Sequence, residues 1–362
     1  MNKLLKKFLN LFIFGVGLGI LTGSLFKIII PIYEQDKFNI SLSNLKFPKG
    51  KDKSKRLNLN RYKLITSIKS GKEGTEILEL SKQWEQLSNK YKDLKVSGYL
   101  YLIEEGKHSK LNPNAPYSAA SSIKIPILLA TLEMMDTGNL LWNERVTLNK
   151  SDIAMGAGWM AYQPIGTRFP IYELATEMIR VSDNTATNLL VKRLGGINYL
   201  NDRFEKYGLE STELKRLLPD LQGYNKTSAK DLALTIAIAD SNYLLSKKTR
   251  DLFREVMSTS RTNRLLPGGF LKGLNKFNIS LENIDYKLLI NGYRIYNKTG
   301  DIGIAYADAG LIEIPNNNRA VAGFIVEGPF NDPRSTNLIR EMAAAMVDFL
   351  QPEEPASKSN KI

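Results

Sequence analysis

Residues 118–130 read SAASSIKIPILLA, an apolar stretch that should be buried, yet it opens on serines and carries a lysine. Ser121 and Lys124 are three residues apart, so on a helix their side chains share a face and can meet. A buried lysine is costly unless a neighbouring group uses it. The stretch is explained either by a solvated lysine near a helix start or by a serine nucleophile beside its base.

The position of this pair at a helix start is compatible with the second explanation. A helix N-terminus carries a positive partial charge of about half a unit, which disfavours a protonated lysine and favours an alkoxide. A lysine that is partly neutral there can take the proton of a serine. Taken alone, however, a Ser-x-x-Lys spacing arises by chance in a chain rich in both residues, so it remains a hypothesis.

Composition narrows the possible chemistry. The 362 residues suffice for one large domain or two ordinary ones, and the apolar and charged fractions, 43% and 24%, are ordinary for a globular protein. The chain has no cysteine, which excludes disulfide scaffolds, thiolate metal sites and cysteine nucleophiles. The single histidine, His108, lies in the polar stretch EEGKHSK and is predicted at the surface, which disfavours Ser–His catalysis and histidine-bound zinc. No metal or other cofactor is expected.

The net charge of +13 belongs to the N-terminal part of the chain. Residues 1–75 hold fifteen Lys and Arg against four Asp and Glu, whereas the other 287 residues hold 35 against 33. Because the remaining chain shows no basic face, nucleic-acid binding is not expected.

The N-terminal segment, residues 1–34, is predicted to be a membrane anchor or a signal segment. Its uncharged run from Phe8 to Phe26 is nineteen residues long, about enough to cross a bilayer core. An uncleaved anchor is favoured over a signal peptide, since no A-x-A cleavage site follows. The catalytic part would then be membrane-anchored or secreted and extracytoplasmic, although the lysine-rich residues after the span leave the orientation open. Residues 35–74 are predicted to form a flexible basic stem.

Residues 75–350 are predicted to form one catalytic domain. Apolar residues recur at helical spacing after residue 75, and a strand pattern follows in KVSGYLYL. A helical block spans roughly 119–255, and three strand patterns and a final helix come after it. This order predicts an α/β (α+β) fold, with an antiparallel sheet flanked by N- and C-terminal helices and an inserted helical subdomain. Residues 351–362 are predicted to be a disordered tail.

Two further polar clusters accompany the Ser121–Lys124 pair. Ser182, Asp183 and Asn184 lie between amphipathic segments, where they are explained equally well by a helix cap. Lys298, Thr299 and Gly300 end a strand pattern, where alone they are explained by an exposed hairpin entry. Together, in this order and on these elements, S-x-x-K, S-D-N and K-T-G form the signature of serine β-lactamases and penicillin-binding proteins.

Through SAASSIKIPILLA, SDNTATNLL, NKTSAKDLA and NKTGDIG, the chain resembles the class A β-lactamase family over about residues 75–350. The resemblance implies a monomer that needs no cofactor and forms an acyl-enzyme with a small-molecule β-lactam or a peptidoglycan peptide. By the same resemblance, Ser121 attacks the substrate amide and Lys124 is a general base or proton relay. Ser182 passes a proton to the leaving nitrogen, and Lys298 assists that step electrostatically.

The same resemblance implies the substrate-binding residues. Asn184 holds the substrate's side-chain amide, and the backbone N–H groups of Ser121 and Asp301 form an oxyanion hole. Lys298 and Thr299, followed by Gly300, bind the substrate carboxylate. Family members often add an arginine for this purpose, and Arg261 or Arg264 is expected to replace it here.

One departure from the family pattern concerns release of the acyl group. Where the family has R-x-E-P-x-L-N, this chain reads RLLPDLQ from Arg216 to Gln222, and the glutamate that activates water falls on Leu218. A leucine cannot accept a proton, so deacylation by the family route is expected to be lost unless Asp220 or Glu213 replaces it. Three functions stay open: slow β-lactam hydrolysis, a D-alanyl-D-alanine peptidase-like activity, and non-enzymatic penicillin binding or sensing.

Overall fold

The computed structural model describes residues 74–274 and 292–350, which belong to one compact unit, Arg56–Ile362. The helices are α1 (Leu78–Asn89), α2 (Lys124–Asp136), α3 (Ile171–Arg180), α4 (Asn184–Leu194), α5 (Gly196–Tyr207), α6 (Ala229–Asp240), α7 (Lys247–Ser258), α8 (Leu266–Leu274) and α9 (Pro333–Ala345). Short 3₁₀ helices include Ala120–Ile123, immediately before α2, and Met346–Phe349, after α9.

The strands in the described residues are β1 (Lys95–Leu102), β2 (Lys107–Leu111), β3 (Tyr117–Ser118), β4 (Arg145–Thr147), β5 (Arg168–Pro170), β6 (Lys226–Thr227), β7 (Arg294–Asp301), β8 (Ala305–Ile314) and β9 (Asn318–Glu327). The five longest form one antiparallel sheet in the order β2-β1-β9-β8-β7. The other four strands form two separate pairs, β3 with β6 and β4 with β5. Strand β7 is therefore an edge strand of the main sheet.

Helices α1, α8 and α9 cover one face of the sheet. The indole of Trp84 on α1 is fully buried, meets the ring of Phe324 on β9 edge-on at 5.4 Å, and donates to the carbonyl of Met342 on α9 at 2.9 Å. Burial of an aromatic side chain of this size contributes on the order of 2–3 kcal/mol, and its N–H finds a partner. The N- and C-terminal helices are thus joined over the sheet by one side chain.

Helix α2 is the centre of the other layer. Every residue of α2 from Lys124 to Leu132 is buried, because α4, α5, α6 and α7 surround it. A helix that is apolar on all sides belongs in the middle of a core. Helix α6 joins this layer to the sheet, where a side chain at Gly323 of β9 would lie 2.4 Å from the carbonyl oxygen of Ala229. Lys124 is the one charged residue of the buried part of α2.

These observations confirm the predicted fold class: helices and an antiparallel sheet, with terminal helices on the sheet. The extents of the catalytic domain and of its helical subdomain stay predictions. The predicted anchor, tail and all but the last residue of the stem lie outside the described residues. Within residues 74–274 and 292–350, no helix combines the length and apolar character needed to cross a membrane.

The surface position predicted for His108 is wrong. The side chain lies on β2, is only 5% exposed and stacks on the ring of Tyr99. Its neighbours in sequence are polar, which suggested a loop. On a strand, however, successive side chains point to opposite faces, so His108 turns inward while Lys107 stays in solvent.

Candidate active site

The 3₁₀ helix Ala120–Ile123 places Ser121 directly ahead of Lys124, the first residue of α2. Lys124 is fully buried, and its Nζ donates to the Oγ of Ser121 at 3.1 Å. Ser121, in contrast, is only half-buried. The two side chains that the sequence pairs by spacing are therefore in direct contact.

Three more oxygens surround the Lys124 amine. Ser182 offers its carbonyl at 2.6 Å and its Oγ at 2.9 Å, and Asn184 offers its Oδ1 at 2.9 Å. All these acceptors are neutral oxygens, so no ion pair with a carboxylate is among these contacts. The amine therefore connects the hydroxyl of Ser121 to the hydroxyl of Ser182.

Burial and the nearby positive charge of Lys298 lower the pKa of Lys124 well below the ordinary value of a lysine, and Asp183 opposes this only in part. The dominant cause is desolvation, which disfavours the charged amine. A lysine with a lowered pKa gives up its proton more readily, and its neutral amine can accept the proton of a serine hydroxyl.

The turn between α3 and α4 fixes Ser182 and Asn184. Ser182 has a φ of +62°, a left-handed conformation that costs a non-glycine residue about 1–2 kcal/mol and is often found at functional sites. The carboxylate of Asp183 holds this turn by accepting three backbone hydrogen bonds. Its Oδ1 accepts from the N–H of Ala186 as the cap of α4, and its Oδ2 accepts from the N–H groups of Trp159 and Met160.

Strand β7 supplies Lys298, Thr299 and Gly300. Lys298 is fully buried, and its Nζ donates to the carbonyl of Thr299 at 2.5 Å. Burial lowers the pKa of Lys298 to about 8, against the opposing effect of the Asp308 carboxylate. Lys298 is therefore mostly charged at neutral pH, and its positive charge lowers the pKa of Lys124.

Gly300 allows β7 to touch the 3₁₀ helix that carries Ser121. A Cβ at position 300 would lie 2.9 Å from the backbone nitrogens of both Ser121 and Ser122. Such a contact is closer than a carbon and a nitrogen tolerate. Glycine is thus required by the close approach of two backbones.

Gly300→Ala is expected to push β7 away from Ser121. Overpacking of this kind costs about 1–3 kcal/mol of stability, and displacement of a reacting group slows reaction on the order of 10- to 100-fold. Thermal unfolding and the rate of reaction at Ser121 measure the two effects. Gly268→Ala in α8, where the nearest atom lies 3.3 Å away, is the matched control and should leave the rate unchanged.

The remaining residues expected at the site lie at its edge. Asp301 is exposed and its Oδ1 accepts from the N–H of Gly303, so its carboxylate is bonded to the β7–β8 turn. Arg261 and Arg264 are exposed, in the segment before α8. The carbonyl of Thr262, between them, accepts from the Oγ1 of Thr299 at 3.2 Å. This contact places the segment beside β7, and the backbone N–H of Arg261 donates to the carbonyl of Arg180 at 3.1 Å.

The loop with Leu218 is attached to α4. Asn188 donates from Nδ2 to the carbonyl of Leu218 at 2.8 Å and accepts from its N–H at 3.0 Å. The Leu218 side chain is 7% exposed. Asp220 is also buried, and its Oδ2 accepts from the N–H of Asn225 at 2.7 Å. Its carboxylate thus holds the loop in shape.

Sequence reasoning missed two residues that support this site. Asn188 was not singled out, although it lies one helical turn after Asn184 and therefore on the same face. Asp308 was also missed, although an acid with apolar neighbours on both sides in the strand AYADAGLIEI is itself a signal, since buried carboxylates are rare without partners.

Comparison with known proteins agrees with this geometry. The model of the β-lactamase enzyme family matches residues 79–350. β-Lactamase VEB-1 of Pseudomonas aeruginosa is 25% identical over 269 residues, which cover 70% of this chain and 85% of that protein.

Solved structures are similar over the same part of the chain. The structure of PBP-A is 35% identical, covers 76% of this chain and 97% of its own, and superposes with a TM-score of 0.69. A β-lactamase of Francisella tularensis, 23% identical over 75% of this chain and 98% of its own, shares the fold with a TM-score of 0.62. Because the family model spans most of the chain and its S-x-x-K, S-D-N and K-T-G residues lie together, this protein belongs to the β-lactamase enzyme family.

Proposed function

We propose that the protein is a serine hydrolase that reacts with β-lactams through Ser121 and releases the acyl product slowly. One observation carries this proposal. The buried amine of Lys124 bonds both to the hydroxyl of the half-buried Ser121 and to the Ser182 hydroxyl. A purely structural role does not require a buried lysine between two serines.

The proposed acylation follows this chain of hydrogen bonds. Lys124 takes the proton of the Ser121 hydroxyl as its Oγ attacks the carbonyl carbon of the lactam. When the C–N bond of the ring breaks, Ser182 donates its proton to the leaving nitrogen, and Lys124 restores the proton of Ser182. The products of this step are an ester on Ser121 and an amine at the former lactam nitrogen. Lys124 ends the step neutral, as it began it.

Substrate binding is assigned to the residues around this pair. The backbone N–H groups of Ser121 and Asp301 would stabilise the oxyanion, where each donor is worth about 10²–10³ in rate. Lys298 and Thr299 would bind the carboxylate of the substrate, and Asn184 its side-chain amide. Arg261, an exposed residue of the segment beside β7, is assigned to the same carboxylate.

Slow release is proposed because of Leu218. An apolar side chain offers no partner to a hydrolytic water and cannot activate it. Asp220 is a poor replacement, since its carboxylate is buried in the loop, where Oδ2 accepts from the N–H of Asn225 and Oδ1 lies 4.0 Å from the Nε of Arg216. Glu213 pairs with Lys215 and with the backbone of Lys226, which assigns it a structural role as well.

A D-alanyl-D-alanine peptidase-like reaction is the second candidate function. It is favoured by the same Leu218 and by the likeness to PBP-A, of which a leucine-to-glutamate variant is described as an acyl-enzyme complex with penicillin G. Such an enzyme would act on peptidoglycan outside the cytoplasmic membrane, which agrees with the proposed N-terminal anchor.

The test is the intact mass of the full-length protein mixed with penicillin G and followed for hours. We expect one adduct per chain with the mass of a whole penicillin, which persists on Ser121. Ser121→Ala should show none, and Ser122→Ala, next to it, is the control that should still react. Absence of an adduct on the parent protein would contradict β-lactam acylation, and rapid turnover without an adduct would contradict slow release.

A further inference from the structure

The short strand β3, which leads to Ser121, pairs with β6 and also contacts β9. Ser118 is the last residue of β3 and lies directly opposite Lys226 on β6. The next residue, Ala119, donates its N–H to the carbonyl of Asn225 at 2.9 Å. Along an antiparallel pair, residues that bond to the partner strand alternate with residues that do not, so the N–H of Ser118 points away from β6. This buried N–H needs a partner from another part of the molecule.

Glu327, the last residue of β9, supplies that partner. Its Oε1 accepts from the N–H of Ser118 at 2.6 Å, where a neighbouring strand would offer a backbone carbonyl. A hydrogen bond from a backbone N–H to a carboxylate is shorter than one between neutral groups and about twice as strong. A side chain of β9 thus ties the main sheet to the segment that carries the nucleophile.

Ion pairs explain the position of this carboxylate less well. The Nζ atoms of Lys95 and Lys226 both lie 3.7 Å from the carboxylate of Glu327. The two lysine side chains are 69% and 34% exposed, and exposed pairs of this kind contribute little to stability. The bond from Ser118 is the short contact of Glu327, so the carboxylate acts on the backbone that precedes the nucleophile.

The backbone between Ser118 and Ser121 is held in an unfavourable shape. Ala120 has a φ of +46°, a left-handed conformation that an alanine rarely adopts and that persists only where surrounding contacts impose it. The hydrogen bonds from Ser118 to Glu327 and from Ala119 to the opposite strand fix the chain immediately before this turn. The residue after the turn carries both the nucleophilic hydroxyl and an N–H assigned to the oxyanion hole.

We propose that Glu327 is a positioning residue of the acylation site, whose carboxylate anchors the N–H of Ser118 and thereby holds the hydroxyl and the N–H of Ser121 in place. This inference rests on the proposed function of the site and adds a residue to it. Glu327 acts through the backbone and not on the substrate. Without the anchor the turn at Ala120 relaxes, and a displacement of about 1 Å at a reacting group slows reaction by about 100-fold.

The test compares Glu327→Ala and Glu327→Gln with the parent protein. Intact mass of the full-length protein mixed with penicillin G gives the rate of adduct formation at saturation and the concentration that gives half of it. We expect Glu327→Ala to lower the saturating rate by about 10- to 100-fold and to leave the half-saturating concentration within about 3-fold of the parent. Glu327→Gln keeps an amide oxygen that accepts from Ser118, so it should react within about 3-fold of the parent rate.

Glu313→Ala is the matched control. Glu313 lies on the neighbouring strand β8 and approaches Arg254 and Arg294 at 3.7 and 3.8 Å, so its ion pairs resemble those of Glu327. Its carboxylate accepts from the hydroxyl of Tyr296. The control should react at the parent rate. An equal loss of rate in Glu313→Ala would assign the effect to lost charge on the sheet and would overturn the inference.

Amide hydrogen exchange in the ligand-free full-length protein tests the anchor without a substrate. The N–H of Ser118 should exchange at least about 10-fold faster in Glu327→Ala than in the parent and in Glu327→Gln. The N–H of Ala119, which is bonded to a backbone carbonyl, is the internal reference.

Three results overturn the inference: unchanged exchange of Ser118 in Glu327→Ala, acylation of that variant at the parent rate, or a Glu327→Gln protein that is equally slow. A parent protein that penicillin G does not acylate would defeat the proposed function instead. The exchange of the Ser118 N–H would still judge the anchor in that case.

Discussion

Lys124→Met is expected to slow acylation of Ser121 by about 10²–10⁴-fold, the usual effect of a lost general base. Methionine matches the length and apolar stem of lysine but has no proton acceptor of comparable strength. Lys124 is fully buried and its pKa is lowered mainly by burial, which favours the neutral amine that its proposed role as a base requires. The measurement is the rate of adduct formation with penicillin G at saturating concentration.

The stability of this variant is a separate question from its rate. The carbonyl of Ser182 loses a hydrogen-bond donor, and an unsatisfied buried acceptor costs about 1–3 kcal/mol. Removal of a desolvated amine offsets part of that cost. The control is Thr131→Val, which removes a buried hydroxyl from the same helix. That hydroxyl donates to the carbonyl of Ile127, and the variant should react like the parent. A folded Lys124→Met protein that reacts at the parent's rate would show that another group is the base.

The fold was predictable because its signals are local. Two of the three strand patterns near the end of the chain are long and mostly apolar, and β7, β8 and β9 follow the three patterns closely. A continuous apolar run after Lys124 predicts helix α2. Motifs near the ends of elements were likewise visible, since Ser121 precedes α2 and Ser182 precedes α4.

Other features depend on contacts between residues that are far apart in the sequence, and no short stretch of the sequence contains both partners. Asp308 bonds to Thr299 only because β8 places it opposite that residue. Gly300 is required only because β7 meets the backbone of Ser121, more than 170 residues earlier in the chain. His108 was misplaced for the same reason, since its burial depends on Tyr99 in the neighbouring strand. Local sequence indicates which residues can act, while the sheet register decides what surrounds them.

Leu218→Glu is expected to speed release of the acyl group by about 10²-fold while acylation stays within a few-fold of the parent. The loop need not move, because Asn188 bonds only to the backbone of Leu218. The side chain at this position is almost fully buried, and burial raises the pKa of a carboxyl towards neutrality, where it is an effective base. The lifetime of the penicillin adduct, followed by intact mass after removal of free drug, measures the change.

The neighbouring residue provides the control for this last substitution. Leu217→Glu places the same charge one position earlier on the loop, where the side chain is 42% exposed, and should leave the adduct as long-lived as in the parent. Faster release in Leu218→Glu alone assigns the slow step to the leucine. Equal release in both variants would point to a general effect of charge on the loop. An adduct of unchanged lifetime in Leu218→Glu would mean that water does not reach the ester from this side, so the barrier would lie in access and not in the missing base.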